Sequence, residues 1–176
     1  MATRRKAQSN KRTQTEAANI PVRRALVVVD LVESVRLMQR YEADIIQRWR
    51  QFVKEVVSQL LPLHHGRLVK SLGDGLMMEF KEVRSAVAAA LEVQERMASY
   101  NVGRPDDAAM YLRVGTNVAD VVVDELDVYG AGVNVAARLA TLAGPGEVVI
   151  SAEVRDELIA DVDATLSDMG DCYVKN

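Results

Sequence analysis

Residues 25–29 form an uninterrupted aliphatic run, Ala-Leu-Val-Val-Val, that ends in Asp30. A strand with one face in water alternates apolar and polar residues, whereas an unbroken β-branched run belongs to a central strand buried on both faces. Any fold available to this chain must be a sheet built around that segment. It must also place a carboxylate at the strand's end.

The rest of the chain supplies the cover and the neighbouring strands. Ile45, Ile46, Trp49, Phe52, Val53, Val56, Val57, Leu60 and Leu61 recur at spacings of three and four, which predicts a helix with a core-facing stripe. Residues 62–66, from Pro62 to Gly66, end it. Apolar runs at 68–72 and 76–80 flank Gly73-Asp74-Gly75, and an Asp-Gly pair between two such runs predicts a tight β-hairpin. A second helix is expected over 81–100, strands over 110–118 and 121–123, and an Ala-rich helix over 130–143 closed by Gly144-Pro145-Gly146. A short strand (147–151), a short helix (153–159) and the start of a last strand (172–175) complete the reading. The order βαββαβ followed by a C-terminal αβ portion predicts an α+β fold, with a ferredoxin-like antiparallel sheet and the helices of its leading portion layered on one face. Neither an internal repeat nor a second domain is visible.

Composition agrees with this plan. With 176 residues, 49% of them hydrophobic, the chain can bury one core without staples, and Cys172 is its single cysteine, so neither an internal disulfide nor a Cys-rich zinc site is expected. No apolar run approaches the ~18 residues a membrane span needs, and no apolar leader follows the basic N-terminus, so a cytoplasmic protein is expected. Charge is unevenly spread. Residues 1–24 hold seven Lys/Arg against the single acid Glu16, a net of +6, so residues 25–176 carry -9 of the total of -3. The first segment reads as a solvated tail or linker and the second as the folded domain. Docking of the tail on nucleic acid is disfavoured by the acidic remainder and by the lack of interleaved aromatics.

Individual residues admit both structural and chemical readings. Asp30 could be a helix N-cap and Asp74 a turn residue; if the first strand lies beside the hairpin, their carboxylates converge and suit Mg²⁺ or Mn²⁺, which one or two carboxylates plus substrate commonly hold. Lys70 interrupts an apolar strand. Asn134 and Arg138 stand four apart on one face of the Ala-rich helix, as a plain surface pair would. The adjacent His64 and His65 read as loop surface, and Asp124 and Glu125 as solvated loop acids.

Taken together, these residues resemble the catalytic domain of class III nucleotidyl cyclases. The resemblance runs from about Arg24 to Lys175 and rests on Val-Lys-Ser-Leu-Gly-Asp-Gly-Leu-Met (69–77), Asp-Val-Tyr-Gly-Ala-Gly-Val-Asn-Val-Ala-Ala-Arg-Leu (127–139) and Gly-Pro-Gly-Glu-Val-Val-Ile-Ser (144–151). It implies two metal ions, Mg²⁺ or Mn²⁺, held by Asp30 and Asp74 with the Leu31 carbonyl. It implies that Lys70 and Asp127 read the purine edge; guanylate cyclases typically carry glutamate at the first position, so lysine with aspartate implies ATP. Asn134 would orient the ribose, Arg138 would meet the reacting phosphate and Lys175 would grip the triphosphate. The implied reaction is attack of the ribose 3′ oxygen on the α-phosphorus, giving cyclic AMP and pyrophosphate. The implied assembly is a head-to-tail homodimer in which each site draws its metal aspartates from one protomer and the purine, Asn and Arg residues from the other.

Two departures stand out. Where the family usually has a Gly-Phe-Thr stretch after the metal aspartate, this chain has Val32, Glu33, Ser34 and Val35, which adds a negative charge near the expected phosphates. The family's closing strand is also expected to be missing beyond Lys175. A guanylate cyclase and a catalytically weak or inactive nucleotide-binding regulatory homologue are the alternatives; the set Asp30, Asp74, Lys70, Asp127, Asn134 and Arg138 favours the enzyme, and an upstream sensory or regulatory domain outside this sequence is a further expected partner. A diguanylate cyclase lacks its Gly-Gly-(Asp/Glu)-Glu-Phe signature here, and P-loop chemistry lacks its Gly-x-x-x-x-Gly-Lys-(Ser/Thr).

Overall fold

The computed structural model describes residues 20–124, 127–158, 165–170 and 172. Its central strand is β1 (Val22–Leu31), in which residues 25–29 are all buried. α1 (Ser34–Glu55) follows, continued by a π turn at Val56–Leu60 and a last helical turn at Leu61–Leu63. The hairpin β2 (Arg67–Ser71) and β3 (Gly75–Phe80), α2 (Val83–Tyr100), β4 (Leu112–Val123), β5 (Val128–Tyr129), α3 (Ala131–Leu142), β6 (Val148–Ile150) and α4 (Ala152–Glu157) complete the described fold. The sheet runs β2-β3-β1-β4-β5, antiparallel throughout, with β6 added parallel to β4. The leading βαββαβ order and its antiparallel sheet match the sequence expectation.

The double burial of β1 has two sources. Val27, Val29 and Leu31 point into a core with Met78 and Phe80 of β3, Ile45 and Phe52 of α1 and Ala86 and Ala90 of α2. The alternate residues Leu26 and Val28 point the other way, onto Ala136 and Ala140 of α3. Thus α1 and α2 share one face as predicted, while α3 covers the opposite one. Its approach is close enough that a Cβ on Gly115 would lie 2.2 Å from the Ala140 nitrogen and 2.3 Å from the Ala136 oxygen. This is the physical reason for the alanines: a helix resting on strand backbone has room for no larger side chain there.

Four features differ from the sequence reading. β1 begins at Val22, so Arg23 and Arg24 belong to the sheet rather than the tail; Arg23 pairs with Glu157, and Arg24 lies 4.0 Å from Glu79. Of the predicted helical stripe, Ile46 and Val57 are exposed, because neighbours of a buried helical position are rotated by about 100° and the π turn shifts the register from Val56 onward. The strands predicted over 110–118 and 121–123 are one strand, β4, in which the apparent break at Asp120 is an exposed side chain paired in register with Arg23. β5 was not expected at all. The N-terminal segment before Ile20 and the last strand predicted after Cys172 lie outside the described residues.

Candidate active site

Asp30 stands at the end of β1, paired in register with Gly75 on β3 and Arg113 on β4. The Leu31 amide donates to the Asp74 carbonyl at 3.0 Å, so the first strand does lie beside the hairpin and the two aspartates share one end of the sheet. Since the N–H and C=O of a strand residue point to the same side, the Leu31 carbonyl is directed at the same hairpin.

The hairpin tip is held from three directions. Gly73 adopts φ 82°, a left-handed conformation natural to glycine, and its carbonyl accepts from Trp49 Nε1 at 2.7 Å. The Leu72 amide donates to the Gly75 carbonyl at 2.8 Å, closing the turn. Ser34, the first residue of α1, donates from Oγ to Asp74 Oδ2 at 2.5 Å. Asp30, by contrast, is ion-paired with Arg113, and both side chains are about one third exposed (35% and 32%). Glu33, the departure from the family stretch, takes left-handed φ 51° and places its carboxylate 2.6 Å from Arg36 Nε, so its charge is paired.

Among the described residues each aspartate side chain therefore engages one partner through Oδ2 and offers further lone pairs. Among the described residues no group of three or more His, Cys, Asp and Glu side chains forms a closed metal site. Two carboxylates at one sheet end offer the hard oxygen donors that divalent cations such as Mg²⁺ take, and not the closed nitrogen and sulfur set of a structural zinc.

A second pair forms elsewhere on the face that α3 covers. Lys70 lies opposite Met77, next to an irregularity in β2, and its Nζ reaches Asp127 Oδ2 at 2.6 Å. Asp127 Oδ1 accepts from the Val128 amide at 2.7 Å. The Lys70 ammonium first, and that amide second, hold the Asp127 carboxyl below the usual carboxylate range. The contact exists because the end of β4 and β5 curl over this face: Val121 and Val128 pack with Val69 and Met77, and Arg67 donates to the Asp124 carbonyl at 3.1 Å. Asn134 is exposed and Arg138 half-buried on α3, one turn apart as predicted. Lys175 and Glu125 lie outside the described residues.

His64 is half-buried, with Nε2 2.6 Å from Glu92 Oε2, so it is an α1–α2 contact rather than free loop surface. That bond is the main cause of the lowered Glu92 pKa. Sequence reasoning placed Trp49 only in the core-facing stripe and Ser34 only in the departing stretch, and missed their hold on the hairpin; Arg113 becomes visible only once β4 is registered against β1.

Comparisons with known proteins follow the same lines. The model of the adenylate and guanylate cyclase catalytic domain matches residues 24–176, and the chain belongs to that family. It is 40% identical over 156 residues to a putative adenylate cyclase 3 of Rhizobium meliloti, covering 86% of this chain and 26% of that protein. It is 32% identical to an adenylate cyclase of Streptomyces coelicolor, covering 83% of this chain and 37% of that one. The chain thus spans only about a quarter to a third of the length of these relatives. Among solved structures, an adenylate/guanylate cyclase/hydrolase from Silicibacter pomeroyi superposes with TM-score 0.81 at 31% identity, covering 89% of this chain and 91% of that one. The adenylyl cyclase CyaB from P. aeruginosa shares the fold, with TM-score 0.67 at 21% identity and coverage of 78% and 82%. No described helix is long and apolar enough to cross a membrane.

Proposed function

We propose that this chain converts ATP to cyclic AMP and pyrophosphate at sites shared between two copies arranged head to tail. The observation that carries the reading is the Lys70–Asp127 pair at 2.6 Å. An ammonium donor beside a carboxylate acceptor matches adenine, whose N1 accepts and whose N6 amine donates; guanine reverses the pattern and leaves both groups mismatched. Lys70 and Asp127 are therefore assigned to base selection.

Cyclisation within one nucleotide asks the protein chiefly to position and to neutralise. Asp30 and Asp74, with the Leu31 carbonyl, would hold Mg²⁺ or Mn²⁺, which when bound supplies Lewis acidity toward the 3′ hydroxyl and phosphate oxygens. Asn134 orients the ribose by hydrogen bonding. Arg138 offers a planar guanidinium to the phosphate charge that grows toward the transition state, and Lys175 adds a cation to the triphosphate. Asn134 and Arg138 project from α3 while the aspartates sit at the end of β1 and the hairpin, which suits donation from different protomers.

The test is incubation of the purified chain with Mn²⁺ and either ATP or GTP, with cyclic nucleotide measured. Cyclic AMP in excess is expected. No product at high protein concentration would remove the catalytic reading, and an excess of cyclic GMP would remove the base assignment alone.

A further inference from the structure

Asp30 and Asp74 are held by chemically different partners. Asp30 faces the Arg113 guanidinium, a cation that compensates its charge. Among the described residues the Asp74 carboxylate receives a neutral hydroxyl alone, from Ser34 Oγ at 2.5 Å, across 40 positions of sequence. A neutral donor fixes the direction of a carboxylate without cancelling its charge, which is what a cation ligand needs from the group behind it.

The local backbone is arranged around this bond. Ser hydroxyls at a helix start ordinarily serve as N-caps for amides of the first turn. Here the N-cap position falls one residue earlier, on Glu33, which makes no side-chain cap hydrogen bond and takes the left-handed φ of 51° that a side-chain-bearing residue disfavours. That turn delivers Ser34 as the first residue of α1 with its hydroxyl on Asp74. Leu31 and Trp49 grip the backbone of the hairpin tip; Ser34 reaches the carboxylate itself.

We infer that Ser34 is the positioning residue of the cation site, holding the Asp74 carboxylate with one oxygen engaged and the other turned to a divalent cation. The inference rests on the proposed role of Asp74 as a cation ligand and adds to it a residue that touches neither cation nor nucleotide.

The experiment is titration of the whole chain with Mn²⁺ alone, free Mn²⁺ being read by its electron paramagnetic resonance signal, on wild type, Ser34→Ala, Ser34→Thr, Ser34→Cys and Asp74→Ala. Ser34→Ala is expected to weaken Mn²⁺ binding by about tenfold or more, the usual effect of removing a partner that orients a ligand. Ser34→Thr keeps the hydroxyl and should restore binding to near wild type. Ser34→Cys, nearly isosteric with a poorer donor, should weaken binding without lowering the thermal midpoint, so the idea stays testable if the alanine variant folds poorly. Wild-type affinity in both Ser34→Ala and Ser34→Cys, or equal losses in Ser34→Ala and Ser34→Thr, would overturn it. Unchanged binding in Asp74→Ala would overturn the ligand role of Asp74 and this inference with it, whereas loss in Asp74→Ala with none in Ser34→Ala or Ser34→Cys overturns the inference alone.

Discussion

Lys70 and Asp127 stand 57 positions apart, with Lys70 on β2 and Asp127 just before β5, the strands at opposite ends of the hydrogen-bonded order, yet their charged atoms lie 2.6 Å apart. A flat sheet would separate β2 and β5 by several strand spacings of ~4.8 Å. The pair forms because the β4–β5 ribbon folds over the face that β2 shares. The contact between Lys70 and Asp127 is thus a product of sheet curvature.

Replacing Lys70 by Ala should lower kcat/KM for ATP by about 10- to 100-fold, the effect of losing one hydrogen bond to a charged group. Steady-state rates with ATP and GTP measure it. If base selection resides here, the preference for ATP over GTP must shrink in the variant; an unchanged ratio would assign the pair a purely structural role.

The same pair predicts a pH dependence of stability. Lys70, then the Val128 amide, lowers the folded-state pKa of Asp127. The contribution is therefore fully present above the unfolded carboxylate value and is lost as pH falls through the folded one. Thermal unfolding of Asp127→Asn should show a lower midpoint than wild type at neutral pH, with the gap closing in acid below the ordinary carboxylate range. The gap should be modest, since the Lys70 side chain is 37% exposed. A gap that persists undiminished into strong acid would contradict this account.

The proposed sharing of sites between protomers predicts complementation. Asp30→Ala and Arg138→Ala should each be inactive alone, and mixing them should regain activity through the one heterodimer site that lacks both substitutions. Cyclic AMP assays on the mixture, after confirmed subunit exchange, decide it; no recovery would place the whole site within one chain.

Gly115→Ala should destabilise the fold, because the added Cβ meets the α3 backbone at 2.2 Å, where no side chain can move aside. Overpacking of this kind costs about 1–3 kcal/mol or more, a fall of several degrees in Tm. Calorimetry on the variant checks it, and an unchanged midpoint would show that α3 sits further from the sheet.

Trp49→Phe keeps an aromatic ring beside Phe52 but removes the donor to the Gly73 carbonyl. The expected cost is about 1 kcal/mol of stability together with a higher Mn²⁺ requirement for activity, because the tip that carries Asp74 loses one of its anchors. Wild-type metal dependence in this variant would show that the remaining contacts suffice.

Local patterns along the chain were enough to specify several of its elements. The unbroken run before Asp30 marked a doubly buried strand, the Gly-Asp-Gly turn marked the hairpin, and the pattern over 130–143 marked an Ala-rich helix. Those signals placed Asp30 at a strand end and Asp74 at a hairpin tip, and their sharing of one sheet end followed once β1 paired with β3. Tertiary structure alone decided what depends on register, face and curvature: that α3 lies on the face opposite α1 and α2, that β4 continues through Asp120, that Arg113 meets Asp30, that Ser34 and Trp49 hold the hairpin, and that Lys70 meets Asp127. The reason is physical: periodicity along a chain records which side of its own element a residue faces, while the partner across the gap is chosen by packing between elements distant in sequence.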